Sequence, residues 1–144
     1  MKLTGLVSQA ASLLLASTVS LSALAELVVE DGYVRKPIPG RSMTAAFMTL
    51  RNTGIENFVL TSASLEGADK VEIHTHTHYN GVMRMRQIHE LKVEAGKAVI
   101  LEPGGLHLMI FGITQLPEKP LLELCDAEKQ CFTTRISSQS LVKK

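Results

Sequence analysis

Histidine and methionine side chains stand at short, strand-like spacings in the middle of this 144-residue chain. Neither of its two cysteines lies in these segments. A thioether is a soft, neutral donor that Cu(I) accepts, whereas calcium, magnesium and manganese select oxygen ligands. Imidazole and thioether groups placed together therefore indicate copper before any fold is considered. The residues concerned are His74, His76, His78, Met83, Met85, His107 and Met109.

The spacing of these residues suits β-strands, in which side chains two positions apart share a face. His107 and Met109 can therefore point the same way, and so can the three histidines of the first segment. Asn80-Gly81 is a strong hairpin-turn pair, which folds the chain back and brings Met85 near those histidines. The first two segments can thus converge without unusual geometry.

Each residue of this set also has a simpler interpretation. Most methionines fill gaps in a hydrophobic core, and a row of histidines can be one solvated face of a strand. The clustering weakens that alternative, because the set holds four of the five histidines and three of the five methionines that follow Met1.

The surrounding sequence predicts short strands rather than helices. Apolar or alternating runs recur about every ten residues and end at turn signals such as Pro37–Gly40, Asn52–Gly54 and Pro103–Gly105. About eight or nine strands of this kind predict an all-β, antiparallel β-sandwich. Segment 106–109 is expected to approach the histidines from across that sandwich, and the tail, Ser137 to Lys144, to be loose.

The N-terminal segment, residues 1–25, has the pattern of a cleaved secretory signal peptide. Lys2 precedes an apolar, small-residue stretch that ends at Ala23-Leu24-Ala25. An uncleaved membrane anchor is the alternative, but polar residues interrupt the apolar run. Residues 26–144 then form one exported domain without a membrane span. Its formal charge falls from +1 to 0 with the loss of Lys2, which gives no electrostatic signature for nucleic acid.

Cys125 and Cys131 flank a polar stretch typical of a hairpin tip. An even cysteine count in an exported protein favours a disulfide. A pair of thiolate metal ligands is the alternative, although structural zinc sites usually have closer cysteine pairs.

Four residues of the set resemble a known signature. His74, Met85, His107 and Met109 follow the pattern H-x10-M-x21-H-x-M, which is similar to that of the periplasmic copper chaperones of the PCuAC type. The text around them is similar too, at 45–54, 71–74, 81–86 and 103–109, so that the resemblance extends over nearly all of 26–136.

The resemblance implies a cupredoxin-like Greek-key β-sandwich that binds one Cu(I) through His74, Met85, His107 and Met109. It implies a monomeric periplasmic carrier rather than an enzyme. Such a carrier delivers copper to an accepting protein, either a subunit of cytochrome c oxidase with its copper centre or another copper chaperone. Where that family often has a methionine shortly after the first histidine, this chain has His76 and His78. These could hold Cu(II) at a secondary site or be surface residues, and the surface interpretation is favoured.

Three other functions remain open at this stage. A blue-copper electron carrier would need a His₂Cys site with a weak axial methionine, and neither cysteine is followed by the close ligands that such a site needs. A copper or zinc enzyme could use His74, His76 and His78 as an open three-histidine site, but no organised carboxylate accompanies them. A metal-free interaction module would leave the methionines as core residues.

Overall fold

The computed structural model describes residues 25–141, and within them the chain forms strands and no helix. The predicted signal segment lies, except for its last residue, outside the described residues. The twelve strands are β1 Leu27–Arg35, β2 Met43–Asn52, β3 Phe58–Leu60, β4 Ser62–Leu65, β5 Lys70–Tyr79, β6 Val82–Ile88, β7 Leu91–Val93, β8 Ala98–Leu101, β9 His107–Phe111, β10 Leu121–Cys125, β11 Cys131–Arg135 and β12 Ser137–Gln139. More strands are present than predicted, because three-residue strands such as β7 and β12 are too short to show a period.

The strands form three sheets. The largest has the order β12-β1-β2-β9-β5-β6, with β8 also paired to β2; the smaller sheets are β11-β10-β4 and β3-β7. All pairings are antiparallel except that of β1 with β12. The predicted all-β architecture is therefore confirmed. Among residues 25–141, no helix has the length and apolar character to cross a membrane.

A single cluster of buried side chains joins the three sheets. Ile73 and Leu108 face it from the large sheet, and Phe58 and Leu122 face it from the two small ones. Burying an aliphatic or aromatic side chain of this size stabilises the fold by about 1.5–3 kcal/mol. Because side chains alternate along a strand, burial of Ile73 and Leu108 places His74 and His107 on the opposite face of the sheet.

The β5–β6 hairpin confirms the turn predicted from Asn80-Gly81. Both residues have positive φ, 49° and 73° respectively. A two-residue turn with both central residues in the left-handed region matches the twist of the strands that it joins. A Cβ at Gly81 would have no atom within 4 Å, so glycine is favoured there by backbone conformation rather than by space.

The tail is more ordered than the sequence predicts. Ser137–Gln139 forms β12, parallel to β1, and Lys36 N donates to Gln139 O at 2.8 Å. The expectation of a loose tail is wrong for these residues because backbone hydrogen bonds, which carry no side-chain signature, hold them. Residues 142–144 lie outside the part of the chain that the structure describes.

The β10–β11 hairpin carries the two cysteines, which stand opposite each other and form a disulfide. The predicted disulfide is thus confirmed. The alternative, a thiolate metal site at Cys125 and Cys131, would have no ligands, because the sulfur atoms of a disulfide carry no thiolate charge.

Candidate metal centre

Strand β9 brings segment 106–109 directly beside the histidine segment on β5. It pairs antiparallel with β5, so that His107 stands opposite His74, and the centroids of the two rings are 5.8 Å apart. The expectation that segment 106–109 approaches from across the sandwich is wrong, because β9 and β5 are neighbours in one sheet. Alternation along single strands does not specify which distant strands pair.

Strand β6 brings Met85 to the other side of β5. The hairpin register sets Met85 opposite His76, whereas His74 stands opposite Gln87. Residues directly opposite in an antiparallel pair share a face. Since Met109 stands opposite Glu72 on β5, both methionines project from the same face of the sheet as the histidines.

A cleft of about 280 Å³ opens on this face. His76, Met85, His107 and Met109 are among its lining residues, and His74 is not. Three of the four signature residues therefore line one cavity, together with a histidine outside the signature. The remaining lining residues are Arg35, Lys36, Ile38, Met43, Thr44, Ala45, Phe47, Pro103, Gly104 and Leu141.

His107 is the most enclosed of these donors, with 3% of its surface exposed. Its Nδ1 lies 3.0 Å from the carbonyl oxygen of Gly105, to which a protonated Nδ1 donates, leaving the Nε2 lone pair for a metal. Burial is the main cause that lowers the pKa of His107; His76 and His74 also lower it, and the Gly105 hydrogen bond raises it. The imidazole therefore favours its neutral, metal-binding form.

His74 is held by a carboxylate, so the expectation that no organised carboxylate accompanies the histidines is wrong for this residue. Its Nε2 lies 2.8 Å from Glu72 Oε2, and Lys70 Nζ lies 2.6 Å from the other oxygen of the same carboxylate. Hydrogen bonds from Lys70 first, and from His74 second, lower the pKa of Glu72, which is therefore an acceptor at neutral pH. Nδ1 of His74 is buried and has no hydrogen-bond partner among the described residues. A carboxylate on one ring nitrogen and a lone pair on the other is the arrangement seen in many metal-binding histidines.

His76 and His78 differ in their surroundings. The His76 ring lies 5.3 Å from the His107 ring, and its Nδ1 is buried without a partner in the region from 25 to 141. His78 is exposed, stands opposite the exposed Met83, and does not line the cleft. His78 is thus exposed at the surface, whereas His76 is partly buried and lines the cleft.

The sequence reasoning missed Met43 and Phe47 of β2. Met43 lines the cleft with 42% of its surface exposed, and the Phe47 ring lies 6.2 Å from that of His107. Both reach the cleft because β2 pairs with β9, a contact between strands that are far apart in sequence. Arg35, whose Cζ lies 4.8 Å from the centre of the Phe47 ring, adds positive charge at the rim.

Fold and site together define an all-β domain with a histidine- and methionine-lined cleft on one sheet. The family model described as "Putative lipoprotein LpqE-like" matches residues 27–120. The chain therefore belongs to the LpqE-like family. A relative, "Putative lipoprotein Lxx21020" of Leifsonia xyli subsp. xyli (strain CTCB07), is 32% identical over 75 residues. That match covers 51% of this chain and spans 45% of the relative's length.

Solved structures show the same fold. The copper-bound PCuAC domain from PmoF2 is similar with a TM-score of 0.64 and 16% identity, over 83% of this chain and 97% of that domain. The Cu(I) form of DR1885 from Deinococcus radiodurans is similar with a TM-score of 0.63 and 22% identity, over 89% of this chain and 87% of that protein. The predicted cupredoxin-like fold is thereby confirmed. At these identities the likeness extends to the fold and no further.

Proposed function

We propose that this protein is a copper chaperone that holds one Cu(I) through His74, Met85, His107 and Met109 and delivers it to an acceptor. One observation carries the proposal. The strand register places all four side chains on one face of three neighbouring strands, beside or within a single small cleft. The copper-bound states named for the PmoF2 and DR1885 structures support it.

The donor chemistry fits the lower oxidation state of copper. Imidazole and thioether groups are neutral, so the bound ion keeps its single positive charge, and the soft sulfurs favour Cu(I). Cu(II) prefers tetragonal nitrogen and oxygen ligands. Buried, unpartnered Nδ1 atoms on two histidines of this face are lone pairs that a cation would satisfy.

The exposure of the site suits handover. Met85, on the edge strand β6, has 45% of its surface exposed, whereas His107 is enclosed. An acceptor could displace the exposed thioether first, by ligand exchange, while His107 still holds the ion. Thiolates bind copper(I) more strongly than thioethers do, so transfer to a thiolate-containing acceptor is favoured. The acceptor that we propose is the copper centre of a cytochrome c oxidase subunit or another copper chaperone.

We place the protein outside the cytoplasm, in the periplasm. The predicted signal peptide at 1–25 supports this location, as does membership of a family described as lipoprotein-like. The disulfide supports it too, because disulfides persist in oxidising compartments.

The rival functions have less support. Both cysteines form the disulfide, which leaves no thiolate for a blue-copper site. A three-histidine enzyme site would need His78, which lies outside the cleft. A metal-free interaction module is the remaining alternative.

Cu(I) titration of the purified chain against a competing chelator tests the proposal. We expect one Cu(I) per chain, and loss of stoichiometric binding in the double variant Met85→Leu/Met109→Leu. Leucine has a similar side-chain volume and lacks the sulfur donor, so the fold should persist. Met83→Leu, on the exposed part of the same hairpin, is the matched control and should bind like the original protein. Full binding by the double variant would refute this ligand set, and no binding by the unaltered chain would favour the interaction module.

A further inference from the structure

We propose that His76 is a fifth copper donor, which shares the ion with His74 so that either histidine can complete the site. The inference rests on the proposed Cu(I) function. It goes beyond the four-residue signature, which leaves His76 out.

The position of His76 is the first reason. It lines the cleft together with Met85, His107 and Met109, the three other proposed ligands, whereas His74 does not line it. The strand register explains the difference. On β5, His76 stands opposite Met85 and is two residues closer to the hairpin turn than His74.

The two histidines are almost equally placed with respect to His107. The ring centroid of His107 lies 5.3 Å from that of His76 and 5.8 Å from that of His74. Both histidines share one sheet face, about 7 Å apart along the strand. An ion held by His107 is therefore within reach of either ring after a small side-chain rotation.

The unpartnered ring nitrogens are the second reason. Buried polar atoms nearly always have a hydrogen-bond partner, yet Nδ1 of His74 and Nδ1 of His76 are both buried and have none within residues 25–141. A ligand cation accounts for both atoms at once. A purely structural role for His76 accounts for neither its place in the cleft nor its open lone pair.

The two histidines are held differently. His74 is fixed through Nε2 by Glu72, whereas within the described part of the chain no hydrogen bond holds the His76 ring. His74 is thus the fixed ligand and His76 the adaptable one. During transfer, a Cu–N bond to His76 forms as the bond to His74 or to a methionine breaks. Copper remains Cu(I) and both imidazoles remain neutral.

The inference is tested by measuring Cu(I) affinity, by titration against a competing chelator, for His74→Ala, His76→Ala and the double variant. We expect each single variant to retain one Cu(I) per chain with about tenfold weaker affinity, and the double variant to be weaker than His74→Ala by a further factor of about ten or more. A smaller difference between the double variant and His74→Ala would overturn the inference. His78→Ala, two residues along the same face but outside the cleft, is the control and should match the original protein.

A second measurement needs no variant. Cu(I) is diamagnetic, so the imidazole nitrogen resonances of the unaltered protein can be followed by NMR as copper is added. We expect the Nδ1 resonance of His76 to shift in step with that of His107. A His76 resonance that stays unchanged at full loading would overturn the inference and leave the proposed Cu(I) function standing. If instead the unaltered chain takes up no Cu(I), the proposed function itself fails.

Discussion

At the scale of single residues, two histidines of the candidate site are each held by a second contact at one ring nitrogen. His107 is oriented by a backbone carbonyl, that of Gly105, and His74 by a side chain, that of Glu72. Groups that hold the second nitrogen of a metal-binding imidazole fix its tautomer and its direction. The Gly105 contact cannot be removed by a side-chain substitution, whereas the Glu72 contact can.

Glu72→Ala should weaken Cu(I) binding by about tenfold, because His74 loses the acceptor that holds its Nε2. Chelator competition measures the affinity, and thermal melting checks that the fold persists. Glu90→Ala, which removes an exposed carboxylate outside the cleft, is the control. An affinity unchanged by Glu72→Ala would show that Glu72 does not position His74.

Strand β5 is the element on which the site depends. It lies between β9 and β6, so it is the one strand that can bring donors from both neighbours together. Its register is fixed by burial, since Ile73 faces the core with 4% of its surface exposed. A shift by one residue would exchange the core face for the histidine face, which the loss of buried apolar surface disfavours.

The three-stranded sheet β11-β10-β4 is stabilised by the side chain of Glu66, which follows β4. Its Oε2 accepts hydrogen bonds from Leu121 N of β10 at 3.0 Å and from Arg135 Nη1 of β11 at 3.1 Å. The Leu121 backbone, first, and the Arg135 side chain lower the pKa of Glu66. The folded state therefore holds this proton less tightly than the unfolded state does. The resulting stability is present above the unfolded pKa of about 4.5 and is lost as the pH falls through the lower, folded pKa.

Glu66→Gln should lower the melting temperature at pH 7 by about 2 °C, because the contact is exposed and screened. The difference from the original protein should shrink as the pH falls through the lowered pKa of the folded Glu66 carboxylate, where that group becomes protonated. Thermal melts over this pH range measure both effects. Glu128→Gln removes the same charge at the exposed β10–β11 hairpin tip and should show neither effect. A pH-independent difference for Glu66→Gln would contradict this role of the carboxylate.

At the scale of the whole molecule, the sandwich carries a cleft on the outer face of its large sheet. The core joins three sheets, and the proposed donors lie on the other side of the large sheet, so the copper binding that we propose would not require the core to rearrange. A ligand that binds only the folded state stabilises that state by mass action.

Cu(I) loading should therefore raise the melting temperature. A free Cu(I) concentration one hundred times Kd adds about 2.7 kcal/mol to the free energy of unfolding. Differential scanning calorimetry under anaerobic, reducing conditions measures the shift, and a strong chelator should reverse it. Met85→Leu/Met109→Leu should show a much smaller shift. A shift of equal size in that variant would place the stabilising copper elsewhere.

The sequence by itself determined the local features of this protein. Donor types indicated copper, alternation put His74 with His76 and His107 with Met109 on common faces, and Asn80-Gly81 specified a hairpin. These features follow from covalent geometry and backbone conformation within a few residues, which the sequence states directly. The prediction that the four signature residues form one ligand set came from a resemblance to a known family, not from such geometry.

The tertiary structure alone decided which segments meet. It placed β9 beside β5 rather than across the sandwich, brought Met43 and Phe47 to the cleft, and put His76 rather than His74 among its lining residues. The pairing of distant strands depends on the core that all the sheets bury together, and no single segment encodes that sum. The candidate copper donors could therefore be predicted from the sequence, whereas the place of His76 in the cleft required the fold.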